Sequence, residues 1–119
     1  MFLNFLDFVS HRWALLTVLL LILITLLSLA PLPQLPTVPG TDKTHHLIAY
    51  AALIFPTALR KPNLWKWIAL FFILYSGAIE LVQPFVNRYG EWLDLLANSG
   101  GILCGWLLAE LANRHAESA

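Results

Sequence analysis

Charge is scarce in this chain of 119 residues, and cysteine is almost absent. Lys and Arg together number seven, Asp and Glu also number seven, and the formal net charge is zero. A chain without a basic surface lacks the electrostatic basis for holding nucleic acid, so we expect no nucleic-acid partner. The single cysteine, Cys104, excludes an internal disulfide framework and a thiolate metal cluster.

Apolar residues are correspondingly abundant. They make up 59% of the chain against 12% charged residues, and the mean hydropathy is +0.72. An ordinary soluble domain has roughly 45–50% apolar and about 25% charged residues. A small soluble domain could not bury so much apolar surface, because its surface-to-volume ratio is high. The composition therefore indicates a membrane protein.

The first long apolar segment is also the clearest. No ionisable side chain occurs from Trp13 to Thr41, and the run at 13–30 is interrupted only by hydroxyl side chains. A helix that crosses the hydrocarbon core needs about 20 residues, with a lower limit near 17. A cleavable signal peptide is the alternative, because Ser28-Leu29-Ala30 resembles a cleavage site. The long run and the single preceding cation, Arg12, favour an uncleaved helix.

Three more apolar blocks follow, each flanked by polar residues. None alternates with the period of two that lipid-facing barrel strands require. The second block is the shortest and contains Pro56. Ahead of the first span, four apolar residues at helical spacing predict a short interfacial helix: Phe2, Phe5, Leu6 and Val9. The sequence thus predicts an all-α, single-domain bundle of four transmembrane helices at about 13–30, 44–60, 64–83 and 92–111, with a proline-rich linker at 31–41.

The distribution of cations predicts the orientation. Cytoplasmic loops collect Lys and Arg. With four spans, one side of the membrane holds both termini and the second loop. That side holds five of the seven cations and the other side two, Lys43 and Arg88. We therefore expect an inner-membrane protein with both termini cytoplasmic and the following cations inside: Arg12, Arg60, Lys61, Lys66 and Arg114.

The remaining polar residues converge at the outer ends of three predicted helices. An ionisable side chain within a span costs a few kcal/mol, so Glu80 is expected to face the bundle and to have a partner. The predicted polar cluster comprises Asp42, Lys43, His46 and Tyr50 on the second helix, Glu80 and Gln83 on the third, Arg88 in the following loop, and Asp94 and Asn98 on the fourth.

Small residues continue the polar face of the fourth helix. Gly101, Gly105 and Ala109 follow one another at intervals of four, which places them on one helix face. Small residues let a second helix approach closely in a membrane. This face is therefore predicted to pack against another helix.

The same residues resemble a known family, the VanZ-like membrane proteins. The resemblance rests on Asp42-Lys43-Thr44-His45-His46 with Tyr50, on Glu80-x-x-Gln83, and on Arg88-x5-Asp94-x3-Asn98-x-x-Gly101-x3-Gly105. It extends from Asp42 to Gly105. The family takes its name from a protein associated with low-level resistance to teicoplanin, a glycopeptide. The resemblance implies a fold and a site more than a reaction, because most members have no established biochemical activity.

Two interpretations of the predicted cluster stay open. One is an interhelical ion-pair network, with Arg88 and Asp94 as its first pair. The other, which can coexist with it, is a recognition site in which Lys43 and Arg88 hold a phosphate or carboxylate. His46 is expected to be hydrogen-bonded rather than a metal ligand, because the acidic neighbours lie on separate helices and no tandem metal motif occurs. We expect no bound metal and no cofactor.

The function predicted from these residues is binding. The partners expected are membrane lipids and an amphiphilic ligand, either a lipid-linked phosphate or a glycopeptide-like molecule, with a link to antibiotic resistance at the cell envelope. One alternative is an intramembrane enzyme acting on a lipid-linked phosphate, although no nucleophile or phosphate-loop motif favours it. The other is a small proton or ion conductor, which would need a homo-oligomer because the inner halves of the helices are apolar.

Overall fold

A computed structural model describes residues 2–29, 42–86 and 92–118, and within these ranges the chain is helical almost throughout and has no strand. A short helix precedes four longer ones. A 3₁₀ turn, Gln83–Val86, directly follows the helix that ends at Val82. The α-helices are α1 (Phe2–His11), α2 (Trp13–Leu29), α3 (Asp42–Arg60), α4 (Trp65–Val82) and α5 (Trp92–Ser118).

Helices α1 and α2 meet at a sharp bend of 78° at Arg12. Leu6 and Val9 of α1 are buried, whereas Phe2 and Phe5 are about half exposed, so the predicted apolar face is divided between the bundle and its surroundings. The Phe2 ring packs edge-on against His115, with ring centroids 5.4 Å apart. The two ends of the described chain therefore lie at the same end of the bundle.

Helices α3 and α5 form the closest pair because two glycines on α5 leave room for the α3 backbone. A Cβ at Gly101 would overlap the carbonyl oxygen of Leu47 and lie 3.0 Å from its carbonyl carbon. A Cβ at Gly105 would lie 2.9 Å from Cα of Ala51. Ala109 continues the same face and is fully buried. The small residues thus lie where α5 meets another helix, and that helix is α3.

Hydroxyl groups connect α2 to the rest of the bundle. The hydroxyls of Thr17 and Thr57 lie 3.2 Å apart between α2 and α3. One turn before the end of α2, the Thr25 hydroxyl donates to the carbonyl oxygen of Leu21 at 2.7 Å and contacts the Tyr75 hydroxyl of α4 at 2.5 Å. Such bonds orient helices whose facing surfaces are otherwise apolar, because lipid offers polar groups no alternative partner.

Polar contacts also secure the turn between α3 and α4. Lys61 follows α3 with φ of 57°, the left-handed conformation in which helices commonly end, and its N–H donates to the carbonyl oxygen of Thr57 at 2.8 Å. Its ammonium lies 2.6 Å from a carboxylate oxygen of Glu110 on α5. The Asn113 amide, further along α5, donates to the carbonyl oxygen of Leu59 at 3.1 Å.

The last helix continues beyond the predicted end at 111. It reaches Ser118 and has 27 residues, or about 40 Å at 1.5 Å per residue. The apolar run ends at Leu111, but no proline or glycine follows to terminate the helix. Ala112 and Ala116 pack against the core, and Asn113 and His115 contact other helices. Tertiary contacts therefore extend a helix that the hydropathy pattern alone would end earlier.

Two helical segments of the described chain are long and apolar enough to cross a membrane on their own: Trp65–Phe85 and Leu93–Glu117. The bent pair α1 and α2 makes a third if it counts as one span. Large apolar side chains face outward along these helices, for example Leu26, Leu74 and Leu111, each more than 60% exposed. Such extensive exposed apolar surface is typical of helices that lie in a membrane or against another protein. Helix α3 is not among these segments, so the count of four spans stays a prediction.

Candidate functional site

Three helices bring their polar ends together at one end of the bundle. The first turns of α3 and α5 and the last turn of α4 meet there, because α3 and α5 both run antiparallel to α4. His46, Glu80 and Asp94, one residue from each helix, offer ligand atoms that all lie within 4.8 Å of one another. The sequence placed these residues at a common level, and the structure brings them within contact distance.

His46 is held from two sides by α5. Its Nδ1 lies 2.9 Å from Oδ1 of Asn98, a hydrogen bond in which Nδ1–H is the donor. Its Nε2 lies 3.7 Å from Oδ2 of Asp94, which is too long for a hydrogen bond. The side chain of His46 is 13% exposed and that of Asp94 only 3%. The imidazole thus has a defined orientation, with Nε2 facing a buried carboxylate.

Glu80 joins this pair from α4 and is 9% exposed. One turn before it, Ser76 is fully buried, and the hydroxyl of Ser76 donates to the carbonyl oxygen of Ile73 at 2.8 Å. Tyr50, one turn along α3 from His46, is buried and lies close enough to Glu80 and Tyr75 to interact with them electrostatically. The polar surface therefore extends inward from the carboxylates towards the two tyrosines.

Gln83 is buried at the same end but contacts a different helix. Its Nε2 donates to the carbonyl oxygen of Ser28 at 3.0 Å, which connects the end of α4 to the end of α2. Its Oε1 is buried and has no hydrogen-bond partner within the described residues. Gln83 thus joins α4 to α2 at this end of the bundle, and its amide oxygen is available as an acceptor.

Asp42, Lys43 and Arg88 of the predicted cluster have no described side chain. Asp42 and Lys43 begin α3, and their side chains are not described. Arg88 lies outside the described residues, so the predicted ion pair between Arg88 and Asp94 stays a prediction. The described Lys and Arg side chains all belong to the opposite helix ends, at the turn between α3 and α4, just before the start of α2 and near the end of α5.

The chemistry of the described cluster is that of an acceptor site. It combines two carboxylates, a carboxamide oxygen and an imidazole nitrogen in a small, mostly buried space. Such groups attract a metal cation, an ammonium group or hydroxyl donors. They repel a bare phosphate, which would need Lys43, Arg88 or a bound cation beside it. The cluster alone can accept hydrogen bonds from the hydroxyl groups of a ligand. To bind an anionic group of the same ligand, it needs a neighbouring positive charge.

Two residues near the cluster were not among the predicted ones. Tyr75 bonds to Thr25 and lies near Tyr50, and Ser76 lies on the Glu80 face of α4. Both are polar residues within an otherwise apolar helix, and Ser76 precedes Glu80 by four residues, so it shares its face. That spacing is the signal by which Ser76 could have been predicted. Nothing in the spacing predicts the contact of Tyr75 with α2.

The described residues form an all-helical bundle with two or three segments long and apolar enough to cross a membrane and a polar cluster at one end. The chain belongs to the VanZ/LLP1 family, whose model matches residues 2–113, nearly the whole chain. The match includes α1 and α2, which the motif-based resemblance did not reach. No curated protein and no solved structure matches the chain.

Proposed function

We propose that this VanZ-family protein binds the polar head of an amphiphilic or lipid-linked molecule at the cluster formed by His46, Glu80 and Asp94. The observation that carries the proposal is the convergence of these three side chains, from three helices, within 4.8 Å. Ionisable groups within spans are costly and generally serve a substrate or ion. The described contacts of α2 with α3 and α4 and of α3 with α5 below the cluster use hydroxyl groups and small residues, and the ion pair of Lys61 with Glu110 lies at the opposite end of the bundle.

The site has the form that an amphiphile requires. Polar acceptors lie at the end of the bundle, while large apolar side chains such as Leu81 and Leu96 are exposed on the same helices. A molecule with an apolar chain along this surface would place its headgroup at the cluster. Lys43 and Arg88 would supply the positive charge for a phosphate or carboxylate, which the described acceptors do not.

We also propose an orientation of the bundle in the membrane. Four spans, counting α3, would place the cluster at the outer face of the inner membrane and both termini in the cytoplasm. Support comes from the contact between Phe2 and His115, which places both termini at one end, and from the cations gathered there. Helix α3 has 19 residues, about 29 Å long, which is close to the thickness of the hydrocarbon core.

The orientation is tested by labelling with a membrane-impermeant maleimide in a Cys104→Ser background. We expect Leu35→Cys, in the proline-rich linker, to be labelled in intact spheroplasts. Asn63→Cys, in the turn between α3 and α4, should be labelled only after the membrane is opened. Labelling of Asn63→Cys from outside would contradict the orientation, and labelling of both positions from the same side would contradict a span by α3.

A role at the cell envelope is tested by complementation of a deletion strain. We expect the wild-type gene to restore the strain's tolerance of cell-envelope agents and Lys43→Ala or Arg88→Ala to fail, with protein levels unchanged. Lys66→Ala is the matched control, because Lys66 is an exposed cation at the opposite end of α4. Equal susceptibility of the deletion strain and the wild type would contradict a role at the cell envelope. Equal complementation by all variants would contradict the assignment of Lys43 and Arg88 to the binding site.

A further inference from the structure

We propose that His46, Glu80 and Asp94 form a binding site for one divalent metal ion of the Zn²⁺ or Mn²⁺ class, held between α3, α4 and α5. This inference differs from the expectation that His46 is only hydrogen-bonded, which rested on the separation of the residues in the sequence. It does not depend on the proposed amphiphile, because the metal ion alone is the probe.

The separations between the ligand atoms fit one shared ion. Ligands at about 2.1 Å from a zinc ion lie about 3.4 Å apart at a tetrahedral angle, and about 4.2 Å apart only if they lie on opposite sides of the ion. His46 Nε2 and Asp94 Oδ2 are 3.7 Å apart, which is too long for a hydrogen bond and close to the spacing of two ligands. The widest separation in the group, within 4.8 Å, would close by up to about 1.4 Å through side-chain rotations to reach the tetrahedral spacing.

The orientation of His46 is that of a metal ligand. Metal-binding histidines generally donate their second ring N–H to an oxygen acceptor, which fixes the tautomer and the plane of the ring. Here Nδ1–H donates to Oδ1 of Asn98 at 2.9 Å. In this tautomer the lone pair of Nε2 faces Oδ2 of Asp94 at 3.7 Å, so that both atoms can bind one cation held between them. Asn98 serves as the positioning residue of the site.

The acidic character of the three residues also favours a cation. Two carboxylates with little exposure offer oxygens in one small space, and a cation bound by both lowers the cost of keeping them ionised there. The buried Oε1 of Gln83, on the Glu80 side of α4, is a further acceptor that has no hydrogen-bond partner among the described residues. A divalent ion would balance both carboxylates at once.

The donor set selects the class of metal. One imidazole nitrogen and two carboxylate oxygens suit Zn²⁺ or Mn²⁺, whereas Ca²⁺ requires six to eight oxygen ligands. Three protein ligands leave at least one position open for water or for an oxygen of a bound molecule. A metal ion here would thus give an acidic cluster the positive charge needed to receive an anionic headgroup.

The test is equilibrium dialysis of the purified protein in detergent, stripped with a chelator and carrying no polyhistidine tag, against Zn²⁺ and separately against Mn²⁺. We expect one bound equivalent in the wild type and at least a tenfold weaker affinity in His46→Ala and in Asp94→Asn. Asn98→Ala should weaken binding about 10- to 100-fold through the orientation of the ring. His45→Ala is the matched control, since it removes a neighbouring histidine on another helix face, and it should bind as the wild type does.

Absence of a bound equivalent in the wild type would overturn the proposal, and so would equal binding in His46→Ala. The second result would assign the ion to other histidines, such as His11 or His115. If the variants do not fold, X-ray absorption of the zinc-loaded wild type decides the question. We expect nitrogen and oxygen ligands with a single imidazole, and a sulfur ligand or several imidazoles would overturn the site.

Discussion

The backbone of Leu47 lies directly against Gly101, so that a single additional carbon at Gly101 would overlap the carbonyl oxygen of Leu47. Leu47 directly follows His46, and Gly101 lies about one turn after Asn98; the side chains of His46 and Asn98 bond across the same pair of helices. Close packing of α3 and α5 is therefore what places the histidine beside Asp94. The geometry of the polar cluster depends on the absence of side chains one turn below it.

Gly101→Ala should separate α3 from α5 and lower the free energy of unfolding by about 1–3 kcal/mol, the usual effect of overpacking. Gly100→Ala is the matched control, because a Cβ there has open space around it. It should be neutral or stabilise the helix by up to about 1 kcal/mol. Thermal unfolding in detergent, followed by circular dichroism, checks both variants. Equal stability of the two would contradict the close approach.

Asn98→Ala should destabilise the bundle because it leaves the buried Nδ1–H of His46 without its acceptor. The loss of such a partner costs about 1–3 kcal/mol. Ser99→Ala provides the comparison, since the Ser99 hydroxyl donates only to the carbonyl oxygen of Leu95 in its own helix. We expect a change of less than about 0.5 kcal/mol there. The same unfolding measurement applies, and a larger loss in Ser99→Ala would contradict the role of Asn98 in holding α3.

The contact between Thr17 and Thr57 is tested by a double-mutant cycle with Thr17→Val and Thr57→Val. Interhelical hydrogen bonds in membrane proteins average about 0.6 kcal/mol and reach about 1.7 kcal/mol. Because both hydroxyls are buried, we expect a coupling energy within that range. Unfolding of the two single variants and the double variant gives its value. A coupling of zero would mean that the hydroxyls bond only to their own helices.

Two substitutions at Lys61 separate backbone strain from the ion pair with Glu110. Both remove the ammonium, whose loss should cost no more than about 1 kcal/mol because Lys61 is 47% exposed. Only Lys61→Gly also relieves the left-handed backbone at φ of 57°. Lys61→Gly should therefore be more stable than Lys61→Ala by about 1 kcal/mol in chemical unfolding. The reverse order would contradict the conformation of this turn.

The sequence predicts much of the helical layout because hydropathy and helix breakers act locally. The starts of α2 and α5 and the end of α3 agree with the pattern of apolar runs and loops. The end of α5 does not, since contacts of Asn113 and His115 with other helices determine it. The local pattern therefore predicts a helix boundary where an apolar run meets a loop. It does not predict a helix end that is set by tertiary contacts.

The candidate site is predictable only to the level of the helix ends. Spacing places His46, Glu80 and Asp94 at one level, because antiparallel neighbours bring such ends together. It does not reveal that Nδ1 of His46 bonds to Asn98, since that depends on how closely α3 and α5 approach and on the rotation of each helix. Gln83 shows the same limit: it shares a face with Glu80, yet its amide donates to Ser28 of α2.

The central claim, that the polar cluster binds a headgroup, is tested most directly by native mass spectrometry of the purified protein with added polyprenyl phosphate. We expect the wild type and the control Lys66→Ala to retain one polyprenyl phosphate and to release the uncharged polyprenol. Arg88→Ala and Lys43→Ala should lose the phosphate-bearing molecule while their thermal unfolding shows a folded bundle. Equal retention by all four proteins, or no retention by the wild type, would contradict the claim.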